Sequence, residues 1–413
     1  MIPLKSCLFL AAGALLQANV SYSFESTKVA PKGVRSLTFK NLTTSMHEKT
    51  DANGNLQPLS EPMEKALTFR RAISSEANPY KRAQLKAFVL REKDSFALDD
   101  SIGQFTADFA ATVDVWAPVF AYGVTDNITL AIAAPFYHMT TNADMGFTPN
   151  QNLSKKILTK LTRDMRQVGN AASVHRRINN AVPEVRRNLK LNGFSDLGPW
   201  EGTGLGDMTV AMKHRFYSDD MIAIAYQAGF VLPTGATDDP DILTDLPMGD
   251  GQLDAFFQVA IDESIGFGIM LNQFAKYTYQ AKGSKTIRLA TEIESVRVEK
   301  EKVDFKLGDK FDAGVSATFE SEGGLLAGIG ASYFRKFGDR IEGVASQVED
   351  WITRESVQES FYAQYRIGYS TISAFKRKEF PIPMSVNLDY KKQLASKHRP
   401  IADLVALDLN LFF

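Results

Sequence analysis

The last ten residues of the chain alternate between two faces. Val405, Leu407, Leu409, Leu411 and Phe413 make one apolar row, and Leu404, Ala406, Asp408, Asn410 and Phe412 make a mixed one. Successive side chains of an extended chain point to opposite sides, so a period of two over this length predicts a strand. The same pattern recurs upstream. Phe109, Ala111, Val113, Val115, Ala117 and Val119 alternate with Asp108, Thr112, Asp114 and Trp116. A turn at 122–127 leads to a second apolar row, Ile128, Leu130, Ile132, Ala134 and Phe136. Alternation then returns over 207–216, 222–232, 253–262, 267–271, 311–320, 325–333, 358–369 and 384–391. With Val34–Met46 as a first strand, the count is about twelve, or fourteen if 285–305 form a further pair.

The connections alternate in length. Turns at Tyr122, Ser218, Glu263, Gly323 and Phe375 are short, and the stretches between the hairpins are long. Short turns on one side and long loops on the other are the mark of a transmembrane barrel. The expected fold is therefore all-β, a transmembrane antiparallel up-and-down β-barrel with helical insertions. Its long loop or plug segments are expected at 47–104 and 141–204. Within them, Pro79–Phe96 has a helical distribution of apolar residues, and Ile157, Leu161, Met165 and Val168 fit one helical face. Ser154–Leu191 carries ten Lys or Arg against Asp164 and Glu184. This basic stretch reads as a solvated helix, a surface for lipopolysaccharide phosphates, or a lid.

Charge supports the barrel and narrows the compartment. The apolar rows are almost free of Asp, Glu, Lys and Arg, and His214 is the visible exception. A net charge of −1 over 413 residues argues against a nucleic-acid binder. Residues 1–23 read as a signal peptide: Lys5, a short apolar core at 8–16, and Ser21 and Ser23 before a cleavage site at Phe24. Cleavage after Ala18 is the alternative. The single cysteine, Cys7, lies in that leader, so no thiolate chemistry is expected of the exported chain. No segment has the roughly 20 apolar residues of a spanning helix. A membrane location then requires a closed barrel.

No motif points to catalysis. The five histidines, His47, His138, His175, His214 and His398, sit in neither a Gly-x-Ser-x-Gly elbow nor a His-Glu-x-x-His pair. Gly204 and Gly206 open a strand, which rules out a dinucleotide loop. No enzyme activity, cofactor or metal is expected. The inward positions carry the binding candidates: Asp108, Asp114, Trp116, Asp207, Lys213, Arg215, Asp254, Tyr362 and Arg366, with Asp389 and Lys391 beside them. Their mixed signs fit either a solute path or ion pairs that hold a small barrel shut. Pro118 and Pro135 each remove a ladder donor from a strand interior. Pro135 is thus a candidate kink that loosens the wall for sideways release of an apolar solute.

Five motifs carry a resemblance. They are Tyr122-Gly-Val-Thr-Asp126, Ala134-Pro-Phe-Tyr137, Gly204-Leu-Gly-Asp207, Val231-Leu-Pro-Thr-Gly235 and Gly249-Asp-Gly251. In this order, at strand ends, they resemble the outer-membrane channel family associated with the meta-pathway of phenol degradation. That family is related in architecture to outer-membrane transporters of long-chain fatty acids and aromatic hydrocarbons. The resemblance covers about 105–280 and the terminal strand. It implies a Gram-negative outer-membrane location and passive uptake of small hydrophobic or aromatic solutes. The alternative is a non-conducting structural or surface-binding barrel. Implied partners are membrane lipid, lipopolysaccharide, the solute, and the barrel-assembly machinery through the strand ending at Phe413.

Overall fold

The computed structural model describes residues 24–74, 79–164, 181–289 and 299–413. The segment read as a signal peptide lies outside them, as do Met165 and Val168 of the basic stretch. Twelve antiparallel strands form one closed wall. They are β1 (Arg35–Met46), β2 (Ser101–Gly123), β3 (Ile128–Ala133, continued as Phe136–Pro149) and β4 (Trp200–Leu205, continued as Met208–Ser218). Then follow β5 (Ile222–Leu232), β6 (Asp254–Gly266), β7 (Ile269–Gln280) and β8 (Lys310–Glu320). The last four are β9 (Leu325–Lys336), β10 (Gln358–Ser370), β11 (Met384–Lys397) and β12 (Leu404–Phe412). Closure runs through β1, where Phe39 faces Pro118 of β2 on one side and Leu409 of β12 on the other.

Closure explains why the sequence can leave no edge. In hydrocarbon every backbone donor needs a partner, and the ring of strands supplies one except along Trp200–Leu205, whose outer edge a loop covers. The alternative of fourteen strands does not hold. Gly283–Arg288 and Lys300–Lys306 do pair, but they join Arg340–Glu342 in a separate sheet with its own small core of Val303, Phe305, Leu307 and Ile341. The short-turn end is called periplasmic and the long-loop end extracellular, by the loop asymmetry of transmembrane barrels. Phe413 sits at the periplasmic end, and its amide and carbonyl bond Arg35.

From β5 to β12 the outward rows match the sequence reading. Phe230, Phe257, Val315, Ile329, Ile367, Leu388 and Leu407 are all exposed. In a bilayer these side chains meet lipid, where one Lys or Arg at mid-depth would cost about 2–4 kcal/mol. His214 is tolerated on this face because it packs edge-on against Tyr226, 5.2 Å between ring centroids, with Nδ1 3.3 Å from the phenol oxygen.

Above the wall, helix Pro79–Arg91 forms where the spacing predicts one. Val89 packs with Phe69, Ile73, Phe96, Ile102 and Leu153 in a cluster at the extracellular end of β2. Other loop residues fold inward instead. Leu59, Met63, Leu189, Leu246 and Met248 join the largest apolar cluster, inside the barrel.

Candidate channel interior

The interior has two unlike arcs. The first spans β6 to β11 and is polar. Gln258, Asp262, Asn272, Lys276, Gln280, Lys310, Gln364 and Asp389 point inward and are buried. Parity dictates this, since their neighbours on each strand face outward. Buried charges must be paired, and several are. Arg366 grips Asp389 bidentately, Nε to Oδ1 at 2.6 Å and Nη2 to Oδ2 at 2.7 Å. Lys310 donates to Asp254 at 3.1 Å, and Gln280 Nε2 lies 3.3 Å from both oxygens of the same carboxylate. Asp262 accepts from Asn272 at 2.8 Å.

The second arc spans the extracellular halves of β1 to β4 and is apolar. Met46, Phe105, Phe109, Val113, Tyr137 and Met139 line it, and the inward-folded loop residues fill it. Its boundary with the wall is irregular. Ala133 faces Thr209 and Phe136 faces Leu205, so three steps along β3 match four along β4. The extra residue falls at Gly206-Asp207, a bulge. Beyond it, the upper segment of β4, Trp200–Leu205, pairs with β3 and, among the described residues, has no strand on its other edge.

Loop 233–253 covers that edge instead. Asp207 holds it: Oδ1 accepts from the Gly235 amide at 2.8 Å and Oδ2 from the Asp250 amide at 3.1 Å. The loop's Met248 lies on the glycines of β4. A Cβ on Gly204 would come within 2.6 Å of Met248 Sδ, and one on Gly202 within 3.2 Å of Cε. The chemistry of Gly204-Leu-Gly-Asp207, Pro233-Thr-Gly235 and Gly249-Asp-Gly251 is thus shared, since the three motifs close on one another. Thr234 completes the clasp, its hydroxyl donating to the Gly206 carbonyl at 2.7 Å and accepting from the Met208 amide at 2.9 Å.

The periplasmic half holds a third element, the segment preceding β1. Residues 24–33 cross the lumen. Ala30 donates to Thr129 Oγ1 at 2.8 Å, and Lys213 donates to the Ser26 carbonyl at 2.9 Å. Thr27 donates through amide and hydroxyl to Asp262 Oδ2, at 2.9 and 2.8 Å. Phe24 ends under Arg366, 4.4 Å from guanidinium to ring centroid, over a site that Gly328 keeps open. Alternation cannot reveal such a segment, because an extended tail bonded to lumen side chains has no periodic face of its own.

No protein-family model matches the sequence, and no curated protein matches it. A solved outer membrane channel from Pseudomonas putida F1 superposes with a TM-score of 0.53 at 11% identity, over 94% of this chain and 98% of that one. The chain has an outer-membrane channel fold. The translocator domain of autotransporter NalP from Neisseria meningitidis gives a TM-score of 0.38 at 8% identity, over 98% of each chain. A Pseudomonas aeruginosa FadL homologue gives 0.35 at 8%, over 95% of this chain and 93% of that one. Identities this low speak for fold alone.

Within this channel fold, the candidate residues separate. Asp254, Tyr362, Arg366, Asp389, Lys391 and Lys213 point inward. Asp207 sits in the loop clasp. Arg215 lies at the periplasmic rim, donating to the Asp126 carbonyl at 3.1 Å. Asp108, Asp114 and Trp116 face outward, contrary to the expectation. Phe109 and Val113 are buried in the core, so their neighbours on β2 must point away. Trp116 stacks on Phe39 and meets Phe136, with ring centroids 5.9 and 6.0 Å apart, as in an interfacial aromatic belt. Asp114 lies beyond it, bonded to Thr43 and 3.9 Å from His138. Neither His138 nor His214 bonds a serine among the described residues.

The two prolines also part. Val119 faces Ala133 and Trp116 faces Phe136, so β2 reads both segments of β3 in one register. Pro135 interrupts the ladder without shifting it. Its carbonyl accepts from Gly206 at 2.7 Å, and Ala134 donates to Pro118 at 3.1 Å. The irregularity lies on β4, opposite Pro135.

Proposed function

We propose that the chain is an outer-membrane channel for passive entry of small hydrophobic or aromatic solutes. The observation that carries it is the meeting of the apolar arc with the half-paired upper segment of β4, covered by loop 233–253. A solute that wets methionine and phenylalanine rather than Asp and Lys would partition into that arc. Its exit toward lipid lies past Met248, between the glycines of β4 and the loop. The solved outer membrane channel from Pseudomonas putida F1 supports the reading by fold.

Lipid, lipopolysaccharide and the assembly machinery are the partners this reading requires, the last through the strand ending at Phe413. The test is uptake of labelled naphthalene by Gram-negative cells making the chain. Uptake should exceed that of cells without it. Pro135→Ala restores a ladder donor opposite the bulge and should lower uptake severalfold. Unchanged uptake in that variant sinks the sideways exit. No uptake by the unaltered chain would favour the non-conducting barrel.

A further inference from the structure

We propose that the outer face of β2 to β4, above the aromatic belt, carries a binding site for a neutral saccharide. It takes from the channel reading only the outer-membrane placement and needs no solute to pass.

Parity and height set the argument. At about 3.3 Å per residue, Thr112 stands roughly 13 Å along β2 from Trp116, past the belt and at the level of the outer leaflet's headgroups. Above Trp116 the outward row turns polar: Thr112 and Asp114 on β2, His138, Thr140 and Asn142 on β3, and Glu201 on β4. Their strand neighbours Val113, Met139 and Thr141 are buried, so these six face out.

A cavity of about 430 Å³ opens in this face where the chain enters β4. Thr112, Thr140, Asn142, Pro199, Trp200 and Glu201 line it, and its volume is that of a small-molecule site. Part of the lining is held in place. Glu201 Oε1 lies 3.1 Å from His138 Nε2, and His138 Nδ1 lies 3.9 Å from Asp114, which accepts from Thr43 at 2.7 Å. The Thr112 hydroxyl lies 3.2 Å from that of Ser45. The Trp200 ring covers Gly202 and packs against the apolar cluster. Thr140 and Asn142 are uncommitted, since their side chains bond no described residue. Fixed groups thus stand beside a hydroxyl and an amide that can each donate and accept.

The lining selects the ligand. Among the described residues no Lys or Arg lines the cavity, while Glu201 and Asp114 make its surroundings negative. A phosphate or carboxylate is repelled there. An apolar solute would strip water from Thr140, Asn142 and Glu201 and return no hydrogen bond. A neutral polyhydroxyl donates and accepts at every hydroxyl, so it replaces that water, and Pro199 and Trp200 offer apolar contact to its C–H face. A saccharide is such a group. It reaches this height either on a glycolipid of the outer leaflet or free from the medium.

The test is binding to the full chain, purified in a polyoxyethylene detergent, which carries no sugar. The probes are lipopolysaccharide with neutral core hexoses, lipid A, which lacks them, and maltotriose. The chain should bind the hexose-bearing lipopolysaccharide at least tenfold more tightly than lipid A. Thr140→Val combined with Asn142→Leu should remove that margin and leave lipid A binding as it was. Glu201→Gln should shrink it severalfold, and decides alone if heat-modifiable gel mobility shows that the double variant does not close. Weak maltotriose binding assigns the site to a glycolipid. Maltotriose bound as tightly as the lipopolysaccharide, and lost in the same variants, assigns it to a free saccharide. Equal binding of lipopolysaccharide and lipid A without binding of maltotriose, or a margin that survives these variants, overturns the site. No arm reads solute passage, so that failure leaves the channel reading standing, and absent naphthalene uptake leaves the site standing.

Discussion

The two interior arcs are built from strands of the same period and the same twist, yet one is lined by Gln, Asp and Lys and the other by Met and Phe. What differs is the material each faces. The polar arc faces other polar side chains across the lumen and the extended tail, so its inward groups bond one another. The apolar arc faces Leu59, Met63, Leu189, Leu246 and Met248, and it behaves as the core of a soluble domain. A barrel interior thus need not be uniformly polar. Each inward row is chosen by what covers it.

The sharpest way to break that comparison is to remove one partner from the polar arc. Asp389 is 2% exposed and fully engaged by Arg366. Asp389→Leu leaves the guanidinium buried beside an apolar group, at a cost of about 3–5 kcal/mol. Urea unfolding followed by gel mobility should show it. The double variant Arg366→Met with Asp389→Leu should recover most of the loss. If it does not, the pair is more than a mutual neutraliser.

The matching experiment on the apolar arc is Phe109→Ala. Phe109 is 1% exposed, and truncation should cost about 3 kcal/mol through lost burial and the cavity left. No second change in a charged residue should rescue it. Stability unchanged by this variant would mean that the loop filling is loose, and the arc would not qualify as a packed core.

How much of this was legible in the sequence follows from the same contrast. Alternation found the strands, the turn asymmetry and the closing strand, because those depend on the period alone. From β5 onward it also assigned the faces correctly, since lipid demands apolar residues and the lumen accepts polar ones. On β2 the rule failed. Asp108 and Asp114 are outward because β2 extends past the membrane's aromatic belt into water, while Phe109 and Val113 turn inward onto loops. Periodicity says which residues share a face but not which face meets protein. The clasp of Asp207 was visible only as three scattered Gly-rich motifs, since their contact spans distant segments. Lys276 was missed although parity on β7 places it inward, opposite Asp312 of β8.

A smaller effect should come from the cap over the apolar arc. Arg288 donates to the Asn192 carbonyl at 3.1 Å and to Asp241 at 2.6 Å, and lies 3.9 Å from the Phe194 centroid. It ties the end of helix Ala181–Leu191 to loop 233–253. Arg288→Ala should lower local stability by about 2 kcal/mol, the scale of a charge-assisted hydrogen bond. Hydrogen exchange in 186–194 and 236–249 should quicken while β6 to β11 stay protected. Equal quickening in the polar arc would show that the arcs are not independent.

The smallest effect is a pH dependence of that same cap, and its sign differs between two carboxylates. Burial pushes the Asp241 carboxyl up, but Lys300 and Arg288 outweigh it and hold the group below the usual range. A depressed value means that the fold favours the ionised form. Its contribution is therefore full above the unfolded value of about 3.9 and is lost as the pH falls through the folded one. Asp250 behaves oppositely. Burial raises it to about 6, and Asp254 adds to the rise against the pull of Lys310. Its contribution is full below the unfolded value and is lost as the pH rises through about 6. Both groups anchor loop 233–253, so exchange protection there should peak at about pH 4 and fall as the pH rises through about 6. Asp250→Asn should flatten the high-pH limb alone. Protection that climbs steadily to pH 8 would show that Asp250 is not buried as the loop clasp requires, and the loop would then be a looser cover than Met248 and the β4 glycines imply.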